Sequence, residues 1–444
     1  MIGVLIPLLT VLAFGTFTGI LVFRNFRLEP VILCLIYLIP FLDMKVTPSY
    51  LGGFKLYDFF AVICALVFWK EMIFTWGYSI TSTLAVLVIT LIVISGLSIV
   101  LSEFPHDLMI KLVKLSSIFV FTRLFIKCCT QNPNFRSDAL KAVRSAVVFA
   151  LCFLFFQVAF GLDFRLYSQL AENTVDPANE QFRYPGIFYD SQASGQFLAL
   201  GSFLFLDIRK ADLRHAKVTY FVLFILICVA TLLAGSRSAL GGLIIALTLY
   251  SIFKSTQTRV ATAVVAIVVV CLSLTGFSSL PKILKRTENL DADYQFRKSL
   301  WTEAVSITEK HRLMGIGLGN YQDYIIKHLP HQYLELEDGS YLYFDQPENG
   351  YLKILVELGA VGLATCLLLI GLPMMNSVYR YAIGEIDSGV LVHIASIITW
   401  LIAFNTVYSI YDYRILIMIA IQCLFMITYP SNHKESCQTL SIKY

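Results

Sequence analysis

The sequence predicts an all-α polytopic membrane protein, and three observations carry the prediction. Of its 444 residues, 57% are hydrophobic and only 14% are charged, where soluble domains carry about 25% charged residues; mean hydropathy is +0.73. Apolar runs recur along the chain at lengths that suit membrane spans, about 20 residues each. One long polar interval, from about Thr275 to Gly359, interrupts them, and between Lys282 and Glu348 it holds nineteen charged side chains, eleven acidic and eight basic. Hydrocarbon offers no water to solvate such charges, so this interval must lie in water on one side as a loop or cap.

The apolar runs fall at about 2–22, 29–43, 57–75, 82–101, 108–127, 143–161, 191–208, 218–235, 239–254, 259–277, 349–376, 388–406 and 411–429. The second is short and the run after Asn349 is long, so the count is 12 or 13. Ile2 to Phe23 is long enough to span, and its basic residues, Arg24 and Arg27, follow rather than precede it, which is not the pattern of a cleavable signal peptide. The expected organisation is a helix bundle over 1–277, a cap over 278–348, further helices over 349–429 and a tail over 430–444. Net charge is +4 with no basic stripe, so nucleic acid is not an expected partner.

Lys and Arg in the short loops set the orientation. The 128–144 connection holds Arg136, Lys141 and Arg144, the 209–217 connection holds Arg209, Lys210, Arg214 and Lys217, and the 254–259 turn holds Lys254 and Arg259. These are expected in the cytoplasm. The 102–107 turn has no Lys or Arg and the 162–190 loop is net acidic; both, with the Arg237 turn and the 278–348 cap, are then outside. Lys45 and Lys55 fit this arrangement less well. None of the ten cysteines lies in 162–190 or 278–348, as expected of segments facing an oxidising compartment. No cysteine pair has metal-ligand spacing.

Within the cap, Asp291 to Lys310 reads as an interfacial helix with an apolar stripe of Phe296, Leu300 and Ala304 beside Trp301, Val305 and Thr308, and Asp291 or Asp293 as its cap. The stretch from His328 to Phe344 alternates and is aromatic, without a decisive pattern. Gly315, Gly317 and Gly319 make no nucleotide fingerprint, since no strand precedes them and no P-loop lysine follows; a tight turn is expected there. His328 and His331 read as surface histidines.

Several residues could carry chemistry, and each has a plain structural reading beside the functional one. Arg237, in Ala234-Gly-Ser-Arg-Ser-Ala-Leu-Gly-Gly242, is either a snorkelling cation or, with small residues around it, a ligand at an outer turn. Arg183, in Arg183-Tyr-Pro-Gly-Ile-Phe-Tyr-Asp190, is either part of an ordinary Pro-Gly loop or a ligand. Arg297 lies on the cap helix, near Lys298 and the Lys285-Arg286 pair, on a solvated face or at a site. Glu348 and Asn349 open a span, where a carboxylate and an Asn cap are favourable in themselves. Together, arginines at the mouth of a helical bundle suit a lipid diphosphate, because guanidinium gives bidentate contacts to phosphate oxygens. A carboxylate beside them would take a proton from a sugar hydroxyl, while the arginines stabilise the departing diphosphate. That chemistry calls for no metal, nucleotide or other cofactor.

These motifs resemble the O-antigen ligase and polymerase superfamily, bacterial membrane enzymes that join lipid-diphosphate-linked glycans. Arg183-Tyr-Pro-Gly-Ile-Phe, followed by Ser-Gln-Ala-Ser-Gly, resembles the family's Arg-x-x-Gly-x-Phe element, and Gly235-Ser-Arg-Ser its Ser-Arg-Gly/Ser turn. Arg297-Lys-Ser-Leu-Trp301, Gly315-Ile-Gly-Leu-Gly-Asn-Tyr and Glu348-Asn-Gly-Tyr-Leu … Glu357-Leu-Gly resemble its long loop and the helix after it. The likeness covers roughly residues 180–365. It implies a fold like other lipid-linked (GT-C-like) glycosyltransferases, an inner-membrane location with an extracytoplasmic site, and a polyprenyl-diphosphate-linked oligosaccharide donor with a glycan acceptor. Membrane lipid and a chain-length regulator protein are the other partners it implies. Carried over, Arg237 and Arg297 hold the diphosphate, Arg183 and Asn349 bind substrate, and Glu348 is the base. The ligases begin that helix with His-Asn where this chain has Glu348-Asn349, which favours a polysaccharide polymerase over a ligase. A lipid-linked sugar transporter is the third reading; transporters usually show two related halves, and no internal repeat is visible here.

Overall fold

The computed structural model describes residues 2–47, 53–72, 80–105, 108–167, 175–176, 181–207, 214–253, 290–329, 333–335, 341–343 and 345–432. The expected run at 259–277, the 254–259 turn, most of the 209–217 connection, the Lys285-Arg286 pair, His331, Cys271, Cys437 and most of the 430–444 tail lie outside those residues.

The molecule is a helix bundle. The twelve apolar runs among the described residues are all helical: α1 (Ile2–Phe23), α2 (Leu28–Tyr37), α3 (Leu56–Val67), α4 (Ile80–Val100), α5 (Leu108–Gln131), α6 (Phe135–Phe160), α7 (Ser191–Ser202), α8 (Arg214–Leu233), α9 (Arg237–Phe253), α12 (Gly350–Ala382), α13 (Val390–Ala403) and α14 (Tyr413–Ile427). Between α9 and α12 the cap contributes α10 (Leu290–Lys310) and α11 (Tyr321–His328). Among the described residues, four helices are long and apolar enough to cross a membrane unaided: α4, α6, α12 and the stretch His215–Leu233 of α8. Shorter ones are continued by 3-10 turns at Ile39–Phe41, Trp69–Met72 and Phe203–Leu206. Two small antiparallel hairpins accompany the helices, β1 (Val175–Asp176) with β2 (Gln181–Phe182), and β3 (Tyr333–Glu335) with β4 (Tyr341–Tyr343). The second resolves the aromatic stretch 328–344: Tyr333 pairs with Tyr343 and Leu334 with Leu342.

Polar contacts separate the two ends of the bundle. At one end Glu103 pairs with Lys327 and His328, both at 2.8 Å. Lys111 Nζ donates to the side-chain Oδ1 of Asn320 at 2.6 Å, so the 102–105 turn and the cap share this end. Lys55 joins them, bonded to Asp43 at 2.6 Å and to the Tyr411 carbonyl, which accommodates a lysine that the loop charges alone placed poorly. At the other end the start of α6 is held by Arg144 donating to the carbonyls of Leu204 and Asp207, and by Arg136 stacked over Tyr429. Lys127 pairs there with Glu71.

The described part of the cap helix runs from Leu290, so Asp291 and Asp293 lie within the helix rather than at its cap. Its buried face is Leu300, Ala304 and Ile307, while Val305 is exposed. The stripe is rotated from the expected one because Ala304 and Ile307 pack on Tyr321, Ile325 and Val356.

The long run after Asn349 is two helices joined at a break. Gly359 in α12 has φ 68° and ψ −173°, far from helical values. The loop after α10 inserts there and takes over the freed backbone groups: Ile316 N–H donates to the Val356 carbonyl and Gly317 N–H to the Glu357 carbonyl, each at 2.9 Å, and Ala360 N–H donates to the Arg312 carbonyl at 2.9 Å. A Cβ on Gly359 would lie 2.1 Å from the Leu313 carbonyl oxygen, and one on Gly315 would lie 2.4 Å from Glu357 backbone. Glycine is required at both positions by this backbone-to-backbone approach. The part of α12 beyond the break, Ala360 to Ala382, is still about 35 Å long, enough for the hydrocarbon core.

Candidate active site

Three helix N-termini and one face of the cap helix meet at the cap end. Asp190 caps α7, its side chain accepting from Gln192 N–H. Arg237 is the first residue of α9 and is exposed. Asn349 caps α12, its Oδ1 accepting from the N–H groups of Tyr351 and Leu352 at 3.0 and 3.1 Å. Helix N-termini carry partial positive charge, which favours an anion here, although Asp190 and the Asn349 amide already engage N–H groups of α7 and α12.

Local bonds hold the pieces together. Tyr184 N–H donates to the Leu233 carbonyl at 3.3 Å, and the Arg183 side chain runs over Gly235, whose absent Cβ would sit 3.1 Å from Arg183 Cγ and Cδ. Gly195 of α7 abuts Ser236 in the same turn. Arg183 and the turn carrying Arg237, about fifty residues apart in sequence, are thus neighbours. One residue past Arg237, Ser238 accepts from Thr406 Oγ1 at 2.6 Å. Asn405, beside it, accepts from Asn349 Nδ2 at 2.9 Å, and Gly350 N–H donates to the Phe404 carbonyl. The loop 404–412 therefore joins the arginine turn to the segment that carries Glu348.

Glu348 lies just before the α12 cap with φ 50°, an uncommon left-handed conformation for a residue with a side chain. Arg297 reaches it from the cap helix, its Nη2 3.8 Å from Oε2. The Glu348 side chain is only a quarter exposed, and loss of water pushes its carboxyl from the ordinary 4.5 up to about 7; Arg297 opposes the shift, and Asp190 and Asp345 add to it. A carboxyl poised near neutrality, beside a guanidinium, can accept a proton in one state and release it in the next.

Of the residues expected from sequence, Glu348 and Arg297 are in direct contact, and Arg183 lies against the turn that opens α9 at Arg237. Asn349 has its amide engaged at both ends, by the helix cap and by Asn405. His328 is a surface residue bonded to Glu103. Sequence reasoning missed Asp190, which lies near enough to Glu348 to act on it, and the buried pair Lys353–Glu357 in the first turns of α12. Two opposite charges four residues apart in an apolar run were the available signal.

A bundle of apolar helices that gathers guanidinium groups, helix N-termini and a near-neutral carboxyl under a polar cap defines a polytopic membrane protein with a polar, arginine-bearing mouth at one end. The family model described as O-antigen ligase matches residues 222–367, a stretch that contains Arg237, Arg297 and Glu348. Over that stretch, about a third of its length, the chain is similar to the O-antigen ligase family. No curated protein matches the chain.

Proposed function

We propose that the chain polymerises a bacterial surface polysaccharide, an O-antigen, capsule or exopolysaccharide, by glycosyl transfer from a polyprenyl-diphosphate-linked oligosaccharide on the extracytoplasmic face of the inner membrane. The observation that carries this reading is the Arg297–Glu348 pair at the meeting of three helix N-termini. Arg237 and Arg297, with Arg183 at the edge, hold the donor diphosphate. Glu348 takes the proton from the acceptor hydroxyl as that oxygen attacks the anomeric carbon. The bond from that carbon to the diphosphate oxygen breaks, and the arginines stabilise the charge that develops there. Asn349 keeps Glu348 in line through its cap and its bond to Asn405. A chain-length regulator protein is a proposed partner.

The second reading is an O-antigen ligase that moves the finished glycan to lipid A core or another acceptor, favoured by the description of the matching family. The lipid-linked glycans of a deletion strain separate the two. The polymerase leaves single repeats on the normal acceptor, whereas a ligase leaves full-length chains unattached, and the latter result would overturn the polymerase. Sidedness is tested with single cysteines in a background whose native cysteines are replaced. Asp323→Cys in the cap should react with a membrane-impermeant maleimide in intact cells and Asn134→Cys should not; equal labelling rejects the orientation and the extracytoplasmic site with it.

A further inference from the structure

Behind Glu348 lies a charged cluster that the proposed chemistry leaves without a role. Lys353 and Glu357, one turn apart on α12, are almost completely buried, with side chains 4% and 1% exposed and 3.9 Å between Nζ and Oε1. Burying an ion pair is costly unless the remaining donors are matched, and here they are. Lys353 Nζ sits over the rings of Tyr411 and Tyr408 at 4.6 and 4.9 Å. Tyr411 O–H lies 3.3 Å from both carboxylate oxygens of Glu357. The strongest bond of the cluster leaves the helix: Lys353 Nζ donates to the Asp345 carbonyl at 2.5 Å.

That carbonyl belongs to the segment 345–348, which has no helical or strand bonds of its own. It is fixed at Asp345 by Lys353, at Gln346 by Tyr408 N–H at 3.0 Å, and at Asn349 and Gly350 by the 404–405 backbone and side chain. Between those anchors Glu348 takes its left-handed φ. We infer that Lys353 is a positioning residue, which by tying the Asp345 carbonyl to α12 holds Glu348 against Arg297 in the geometry that proton transfer requires. The inference rests on the reading of Glu348 as the base.

The test uses full-length protein in proteoliposomes, with lipid-linked glycan extracted from a strain lacking the chain as substrate. Removing Lys353 alone would strand the Glu357 carboxylate and endanger folding, so the informative variant is Lys353→Met with Glu357→Met, which replaces the whole pair by apolar side chains. We expect normal amounts of protein, a fall in kcat on the order of 10²-fold, since a displacement of about 1 Å costs that much, and little change in KM for the donor. The acid limb of the pH–rate profile should also move below its wild-type position near 7, because a released 345–348 segment admits water to a carboxyl that faces Arg297, Asp190 and Asp345. Lys353→Arg, which keeps a cationic donor, should retain most of the rate. A double variant with the wild-type rate and the wild-type limb overturns the inference and leaves the pair purely structural. Glu348→Gln, made in parallel, separates the claims: an inactive Glu348→Gln beside a normal double variant rejects positioning alone, and an active one rejects the base itself.

Discussion

Two arginine–carboxylate pairs at the cap end of the bundle differ in how far the guanidinium is engaged. Arg414 is 1% exposed. It bonds both carboxylate oxygens of Asp412, donates to the Ile187 carbonyl, lies 3.8 Å from Asp43 and stacks on Phe188 with 3.9 Å to the ring centre. Arg297 is 35% exposed, and its ion pair among the described residues is one long contact of 3.8 Å to Glu348. The first guanidinium ties α14 to the loop before α7 and is closed off from solvent. The second is held near its carboxyl and open to solvent, which suits the bidentate phosphate recognition proposed for it.

The largest test of this contrast falls on the carboxyl of the open pair. Glu348→Gln should lower chain growth by roughly 10²–10⁴, because an amide cannot accept the proton, with protein still inserted in the membrane; Glu348→His should keep part of the rate, since imidazole is a competent base near neutrality. A wild-type glycan ladder from Glu348→Gln would reduce Glu348 to a helix-end charge, with Asp345 the next base to test. As the group must be ionised to act and its pKa is raised to about 7, the rate of the native protein should rise through about pH 7. Arg297→Gln should push that limb higher, because the cation it removes favours the charged form.

Exchanging the arginines sharpens the comparison. Arg414→Ala breaks a buried pair and should cost roughly 3–5 kcal/mol of stability, read as lost protein in the membrane. Arg297→Lys and Arg237→Lys should leave protein levels normal and reduce rate by about 10², as loss of one well-placed donor does. Full activity of Arg237→Lys would make it a snorkelling cation. The smallest effect belongs to Glu103. Its bonds to Lys327 and His328 draw its carboxyl down to about 2, so their contribution is present above about pH 4 and fades only as the solution becomes strongly acidic. The site is open to solvent, so Glu103→Gln should leave protein level and rate within assay error at neutral pH.

Much of the fold was legible in hydropathy, and much of the site was not. The described apolar runs became helices because a span must satisfy its own backbone, which leaves a long apolar signature. The break at Gly359 left no such signature, since its missing helix bonds are replaced by residues 312–317, and apolar composition continues through it. Gly315 reads as part of a tight turn and Gly359 carries no sequence signal; only the approach of the 312–317 backbone to α12 explains both. Glu348 and Arg297 were legible because charged residues at a membrane boundary stand out. Lys353 and Glu357 were not weighed, because the groups that make the pair tolerable, Tyr408 and Tyr411, come from a loop more than fifty residues further on.

The break in α12 also bears on the order in which the protein is made. Residues 312–317 leave the ribosome well before the backbone they dock on, and until α12 enters the bilayer the cap has nothing to close upon. The 404–412 loop, which pins the other side of the Glu348 segment, arrives later still. Assembly of the mouth around Glu348 is therefore a late event of biogenesis, completed only when the final spans are in place, and a nascent chain stalled before them would be inserted with that mouth unformed.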